Sequence, residues 1–456
     1  MNGTAMSAGV SASEEIIVSH IPPGALSRRT LLMGATALAG LPLLSSLARG
    51  QDKIDMRIAW WGSDDRHQKT LKIIDLFEAE HPGLTMESQY GGLIGYQDKL
   101  STEFAGGNAP DIMQVSDSRE SLIKSGRLLE LDDYIKSGEL NLSDANTSVL
   151  ETLKVDGKLY SIPWGLASGC YFIDTKVFAD SRVEEPGLDW NWDGFAEKAK
   201  AIAAATPDGV YGAADIWAPA GTRSFYPFEF FLRGRGKTAY TPEGKLNFTA
   251  DELTEWFTFW DELRKAGVVP PAEITALETG FETSPIVTGR AAMYPINSSI
   301  ASSLQALAPN PLKVLSFPSG VGSTALSGDK YGAFINSSMQ VYVNAASEHK
   351  DVAIQFLNFV TNSPDAAKIH LMARGVPLSS KIAALVSPDV SPIERSMVDM
   401  IQYVQEHAVP EVVSWPVQGG QIQDLMQRSH QEIAFGQSDI AGTVSKFFDE
   451  AEFILE

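Results

Sequence analysis

Trp60 and Trp61 stand side by side and lead into Gly62-Ser63-Asp64-Asp65, while Trp217, Arg223, Tyr226 and Glu229 crowd a second stretch of the chain. Side chains of this mix suit a polyhydroxylated guest such as a sugar. Carboxylates, amides and guanidinium groups bond hydroxyls that both donate and accept, and the negative face of an aromatic ring stacks on C–H groups. Trp61, Asp65, Asp117, Trp217, Arg223 and Glu229 are the first candidates for such contacts. Glu229 lies between Phe228 and Phe230, and a carboxylate in that company needs donors, from a guest hydroxyl, from Arg223 or from Arg233.

Covalent chemistry finds no comparable support. The seven histidines are dispersed, with no H-E-x-x-H or similar metal spacing. Gly236-Lys237-Thr238 matches the end of a phosphate loop, but Phe231 stands where that pattern requires its first glycine. No G-x-S-x-G elbow surrounds a serine. Asp132-Asp133 and Glu184-Glu185 sit among polar residues and read as solvated surface. Cys170 is the single cysteine, so neither an intrachain disulfide nor a thiolate metal cage can form. No catalytic residue, metal or cofactor is expected.

The elements that would carry these side chains follow from periodicity. Ile54, Met56, Ile58 and Trp60 alternate with Asp55, Arg57 and Ala59, which predicts a strand; adjacent residues point to opposite faces, so Trp60 goes to the core and Trp61 is the exposed one. Leu71, Ile74 and Phe77 recur at helical spacing, with Ser63 or Asp64 as cap and His81-Pro82-Gly83 as stop. A strand over 84–90, a helix over 96–104 and a strand over 111–115 complete an alternation that implies a parallel sheet with helices on its faces. Ligands gather beyond the carboxyl ends of such strands, which picks out residues 60–65, Tyr90-Gly91-Gly92 and Ser116-Asp117. A second α/β region follows Cys170, with helices over 191–203 and 250–265. In the latter, Leu253, Trp256, Phe257 and Trp260 share one face and read as core. Further helices are expected over 351–360, 363–372 and 438–455.

A chain of 456 residues, 44% apolar, exceeds what one core supports, so two lobes are expected. Its formal net charge of -21 repels phosphate backbones and anionic lipid, which argues against nucleic acid and membrane-surface partners. At the amino terminus, Ser27-Arg28-Arg29-Thr30-Leu31-Leu32 precedes an apolar run through Leu47 and the small residues Ala48 and Gly50. This resembles a twin-arginine export signal spanning residues 1–50 and cleaved near Gly50. Pro42 interrupts the run and no stop-transfer charges follow, against an anchoring helix; no cysteine follows either, against a lipoprotein. The mature protein is then expected in the periplasm, having crossed the membrane folded by the twin-arginine machinery.

Five ordered segments carry a family resemblance. Phe104-Ala105-Gly106-Gly107-Asn108-Ala109-Pro110-Asp111-Ile112, Asp156-Gly157-Lys158-Leu159-Tyr160-Ser161-Ile162-Pro163 and Tyr171-Phe172-Ile173-Asp174-Thr175-Lys176-Val177-Phe178 are similar to signatures of the extracellular solute-binding proteins of ABC importers, the family that includes the maltose-binding type. Asp174 departs from that pattern, which usually has Asn there. Gly289-Arg290-Ala291-Ala292-Met293 and the stretch from Val343-Asn344-Ala345-Ala346-Ser347 to Leu357 continue the match.

The resemblance implies an α/β fold of two lobes, each a mainly parallel sheet flanked by helices, crossed near 165–169, 337–342 and 361–363. Residues 51–166 and 342–362 would form one lobe, and 167–341 and 363–456 the other. It adds Trp164 at the first crossing, Tyr294 and Asn297 after the G-x-AAM segment, and Arg374 and Trp415 in the second lobe as candidate ligand contacts. It also implies a monomer that hands a small molecule, foremost a sugar, to membrane permease subunits. Two alternatives stay open: a secreted carbohydrate-active enzyme, which needs two carboxylates across the cleft, and the same fold carrying a polyamine or other small solute.

Overall fold

The structure is a computed structural model that describes residues 53–92, 95–115, 118–217, 225–318, 331–408 and 415–456. The expected alternation opens it. β1 (Ile54–Trp61) leads to helix α1 (Asp64–Glu80), β2 (Leu84–Gly91), α2 (Tyr96–Ala105) and β3 (Ile112–Gln114). β4 (Ser161–Ala167) and β5 (Gly169–Asp174) are separated by Ser168 alone. Then come α3 (Trp192–Ala205), α4 (Phe225–Arg233), α5 (Ala250–Lys265), β6 (Met293–Asn297), α6 (Ala301–Leu307), β7 (Leu312–Ser316) and β8 (Asn336–Val343). The chain ends in α7 (Lys350–Asn362), α8 (Pro364–His370), α9 (Ser380–Val386), α10 (Pro392–His407), α11 (Gly419–Ala434) and α12 (Ile440–Leu455).

Two sheets organise these elements. The first has the order β2-β1-β3-β8-β4, and the second the order β6-β5-β7. β1 pairs in parallel with β2, from Ile54 opposite Leu84 to Trp61 opposite Gly91, and with β3. β8 then runs antiparallel to both β3 and β4. Met56, Ile58 and Trp60 enter the main core with Ile73, Ile74 and Phe77 of α1, whereas Ala59, Met113 and Tyr342 face a smaller core with Tyr96, Leu100 and Phe104 of α2.

The expectation of mainly parallel sheets needs correction. The first sheet is mixed, and in the second β5 is antiparallel to both neighbours. β6 and β7 do run in one direction and are joined through α6, the connection a parallel pair requires. β5, arriving from the first sheet, is inserted between them and runs against both.

The chain passes from the first sheet to the second at Ser168. Its backbone N–H donates to Ser298 Oγ at 3.1 Å, its carbonyl accepts from Ser298 N at 3.0 Å, and its hydroxyl donates to the Phe334 carbonyl at 2.7 Å. Three passes of chain are thereby tied at one point. The chain returns to the first sheet just before β8, between Tyr331, whose hydroxyl donates to Ser316 Oγ at 2.9 Å, and Asn336, which pairs with Ala167. α8 and α9 stay with the first sheet, through a bridge between Leu166 and Val376 and a bond from Ser380 N to the Asp144 carbonyl. α10 packs on β7 of the second sheet, where Ser396 Oγ accepts from Val314 N at 3.0 Å.

Close backbone approach fixes the first crossing. A Cβ on Gly165 would lie 2.4 Å from the Arg374 carbonyl, and one on Gly375, at φ +102°, would lie 2.4 Å from the Leu166 carbonyl. Among the described residues no helix is long and apolar enough to cross a membrane.

Candidate functional site

The carboxyl end of β1 presents one of the two candidate aromatics that stay half-buried. Trp60 is fully buried, stacks on Tyr90 with ring centroids 5.3 Å apart, and donates its indole N–H to His67 Nδ1 at 3.1 Å. Trp61 is half-buried, and its ring meets Tyr96 edge-on at 5.2 Å. Gln114, at the end of β3, fixes both: its Oε1 accepts from Trp61 N at 3.1 Å, and its carbonyl accepts from the Tyr96 hydroxyl at 3.1 Å. Burial holds that phenol protonated, well above its ordinary range. Beside β2 and α2 a cavity of about 260 Å³ is lined by Gln89, Gly91, Tyr96, Lys99 and Glu103.

Ser63 occupies the N-cap position of α1, as expected, but its hydroxyl does not cap the helix. It lies 3.3 Å from Ser303 Oγ in α6, beside the second sheet. Asp65 is exposed and pairs with Lys69 one helical turn on, at 2.9 Å, so it behaves as a solvated helix residue.

Trp164, Arg374, Trp217 and Tyr294 are largely engaged within the protein. Trp164 is buried; His370 stacks parallel to it at 6.0 Å, and the Arg374 guanidinium lies 4.1 Å over its ring. Arg374, fully buried, donates to Thr70 Oγ1 at 2.9 Å and to Met339 Sδ at 3.0 Å. Trp217 donates its indole N–H to Asp215 Oδ2 at 3.0 Å, and Asp215 is also paired with Arg264 at 2.9 Å. Tyr294 gives its hydroxyl proton to Glu278. In this conformation these four form interior networks, because a large side chain between two layers meets partners before it meets solvent.

Glu229 finds the donors its apolar neighbours demand. Arg233 Nε lies 3.3 Å from Oε1, and the Trp415 indole donates to Oε2 at 2.9 Å. Burial still raises the carboxyl pKa above the ordinary value, and Arg233 and Trp415 offset part of that rise. Trp415 remains half-buried and meets Phe225 edge-on at 5.4 Å. Asn297, half-buried at the end of β6, accepts from Ser299 N at 3.0 Å. Asp117 and Arg223 lie outside the described residues.

Of the contacts expected from the sequence, Trp61, Asn297 and Trp415 remain half-buried rather than enclosed. Residues the spacing does not single out join them. Asn336, at the start of β8, donates to the Tyr226 hydroxyl while its buried Oδ1 has no partner among the described residues. Its signal in the sequence, a polar run from Asn336 to Ser338 entering a strand, is too common to pick out. Among the described residues no group of His, Cys, Asp and Glu is placed to hold a metal ion.

A family model described as bacterial extracellular solute-binding protein matches residues 63–367. An uncharacterized lipoprotein in the oleD 5' region of Streptomyces antibioticus is 25% identical over 331 residues, 69% of this chain and 67% of that one. Among solved structures, an extracellular solute-binding protein family 1 member from Alicyclobacillus acidocaldarius matches with a TM-score of 0.68 and 26% identity, covering 89% of this chain and 99% of its own. A periplasmic oligogalacturonide-binding protein from Yersinia enterocolitica, in complex with saturated digalacturonic acid, matches with a TM-score of 0.74 at 21% identity, over 88% and 99% of the two chains, a likeness of fold.

Proposed function

From the membership of this chain in the bacterial extracellular solute-binding protein family, we propose that it captures a sugar or oligosaccharide between its two lobes and delivers it to the permease of an ABC importer. The observation that carries this reading is the carboxyl end of β1. There a half-buried tryptophan stands beside Ser63, whose hydroxyl already meets Ser303 of the opposite lobe. A guest at that edge touches both lobes, and capture then works by drawing them together. We take residues 53–167 and 336–386 as one lobe and the remaining described residues as the other, with Trp61, Asn297, Trp415 and Asn336 as contacts.

Binding rather than catalysis fits the fate of the carboxylates. Glu229, Asp215 and Glu278 are each held by internal donors, and none is left as a paired acid and base facing an opening. Export to the periplasm through the twin-arginine route, with cleavage near Gly50, fits the amino-terminal residues. The Streptomyces relative is described as a lipoprotein, whereas the sole cysteine of this chain, Cys170, is buried in β5.

The test is a thermal-shift panel of neutral sugars, uronate oligosaccharides and polyamines on the mature protein, followed by recovery of the bound solute. The uronates belong there because the Yersinia protein holds digalacturonic acid. A true ligand at a hundred times its dissociation constant adds about 2.7 kcal/mol and is recovered unchanged. A cleaved glycoside would replace the reading with an enzymatic one, and a response to polyamines alone would replace the sugar.

A further inference from the structure

Arg66 lies in the first turn of α1, one of the earliest helical residues after Ser63, yet it is only 6% exposed. Its Nε donates to the Ala373 carbonyl at 2.8 Å and its Nη2 to the Ser299 carbonyl at 2.6 Å. Ala373 belongs to the segment between α8 and α9 that packs on the first sheet. Ser299 belongs to the turn that follows β6 in the second. One planar guanidinium therefore holds an element of each lobe. Gly62 leaves room for it, since a Cβ there would lie 3.1 Å from Arg66 Cδ. The neighbouring Ser63 hydroxyl, which a helix of this kind ordinarily spends on its own first turn, reaches Ser303 instead.

We propose that Arg66 is a latch between the lobes: a positioning residue that holds the closed form through the Ser299 carbonyl and so couples solute capture at Trp61–Ser63 to closure. This rests on the capture reading given above. The physics lies in the acceptor. A bond from a charged donor is stronger than a neutral one, but a carbonyl does not neutralise the guanidinium as a carboxylate would. Closure strips water from the charge, and opening returns it. Burial has already lowered the pKa of Arg66 to about 10, although Asp65 next to it pulls the other way. Bonding and desolvation oppose each other, which leaves the closed form close enough in free energy to the open one for a solute to decide between them. Of the two Arg66 bonds, the one to Ala373 braces α1 within its own lobe and the one to Ser299 runs to the other.

The experiment measures distances between spin labels on Asp75→Cys in α1 and Glu262→Cys in α5, both exposed positions. Cys170 is buried and takes no label. Distributions are compared for otherwise wild-type protein, Arg66→Gln and Arg66→Lys, without solute and with digalacturonic acid or whichever panel sugar gives the largest thermal shift. Arg66→Gln should raise the open-to-closed ratio about tenfold without solute, and Arg66→Lys, able to reach one carbonyl, should fall between. The urea midpoint, read in parallel, reports any loss of fold. An Arg66→Gln distribution identical to wild type overturns the latch while leaving the capture reading intact. If no panel solute changes the wild-type distances, the capture reading fails, and the latch with it.

Discussion

The two lobes use the same amino acids for opposite ends. At the carboxyl end of β1, Trp61 keeps part of its ring in solvent, and its backbone is pinned by Gln114. In the second lobe Trp192, Trp256 and Trp260 are fully buried and meet edge-to-face, Trp192 to Trp256 at 5.1 Å and Trp256 to Trp260 at 5.7 Å. Trp217, Asp215 and Arg264 continue that interior with an indole, a carboxylate and a guanidinium joined to one another. Aromatic and charged residues together therefore do not mark a site. What distinguishes the edge of β1 is that Gln114 holds Trp61 and Tyr96 in place while Trp61 stays half-buried.

The largest expected effect breaks the second region. Trp256→Ala removes a fully buried ring from an edge-to-face cluster and leaves a cavity, and losses of about 3–5 kcal/mol are typical of that change. Urea denaturation should show it. Solute affinity, measured well below the transition, should stay within about twofold, because no part of the ring faces the opening. A large affinity loss at intact fold would show that the two regions are not separable.

Much of this contrast is legible in the residues, and the part that is not has a physical cause. The alternation from Ile54 to Trp60 places Trp60 inside and Trp61 outside, and helical spacing puts Leu253, Trp256, Phe257 and Trp260 on one buried face. Both follow from local period, which short stretches carry in full. The neighbours of Glu229 demand donors, and Arg233 is close enough in sequence to be one; the other, Trp415, comes from the far end of the chain. Trp164 and Arg374 are expected at the cleft, yet each is the other's partner, a pairing between β4 and the segment after α8 that no periodicity announces. The order β6-β5-β7 is hidden for the same reason: insertion of a strand between two others is a long-range event.

Acid sharpens the comparison, because both regions hold buried histidines, His67 and His370 in the first and His430 in the second. His370 lies against Trp164 beneath the first crossing, and His430 meets Phe257 edge-on at 4.7 Å in the second lobe. Burial lowers both pKa values well below 6.5, with Arg374 adding to the effect at His370 and Arg264 at His430. For a histidine depressed in the folded state, stability is complete above the unfolded pKa near 6.5 and declines as pH falls below it, by up to about 1.4 kcal/mol per pH unit for each ring. Melting temperature should therefore fall between pH 6.5 and 5. His430→Phe, which keeps the ring packing, should flatten that decline by its own share, and a decline unchanged in both His430→Phe and His370→Phe would assign it to other groups.

The smallest expected changes in stability fall on the edge of β1, where binding should be most sensitive. Trp61→Ala removes a half-buried ring and should cost about 1 kcal/mol of stability or less, while lowering affinity for the best panel sugar about tenfold or more, since stacking area is lost without a partner to replace it. Asp65→Asn, only a few residues away, is the control. Its carboxylate is exposed and paired with Lys69 along the helix surface, an arrangement worth about 0.5 kcal/mol at most. Stability and affinity should both stay close to wild type, as measured by calorimetric titration and urea denaturation. A strong affinity loss from Asp65→Asn would mean that α1 turns its charged face to the solute, and that the edge of β1 grips by charge rather than by its aromatic face.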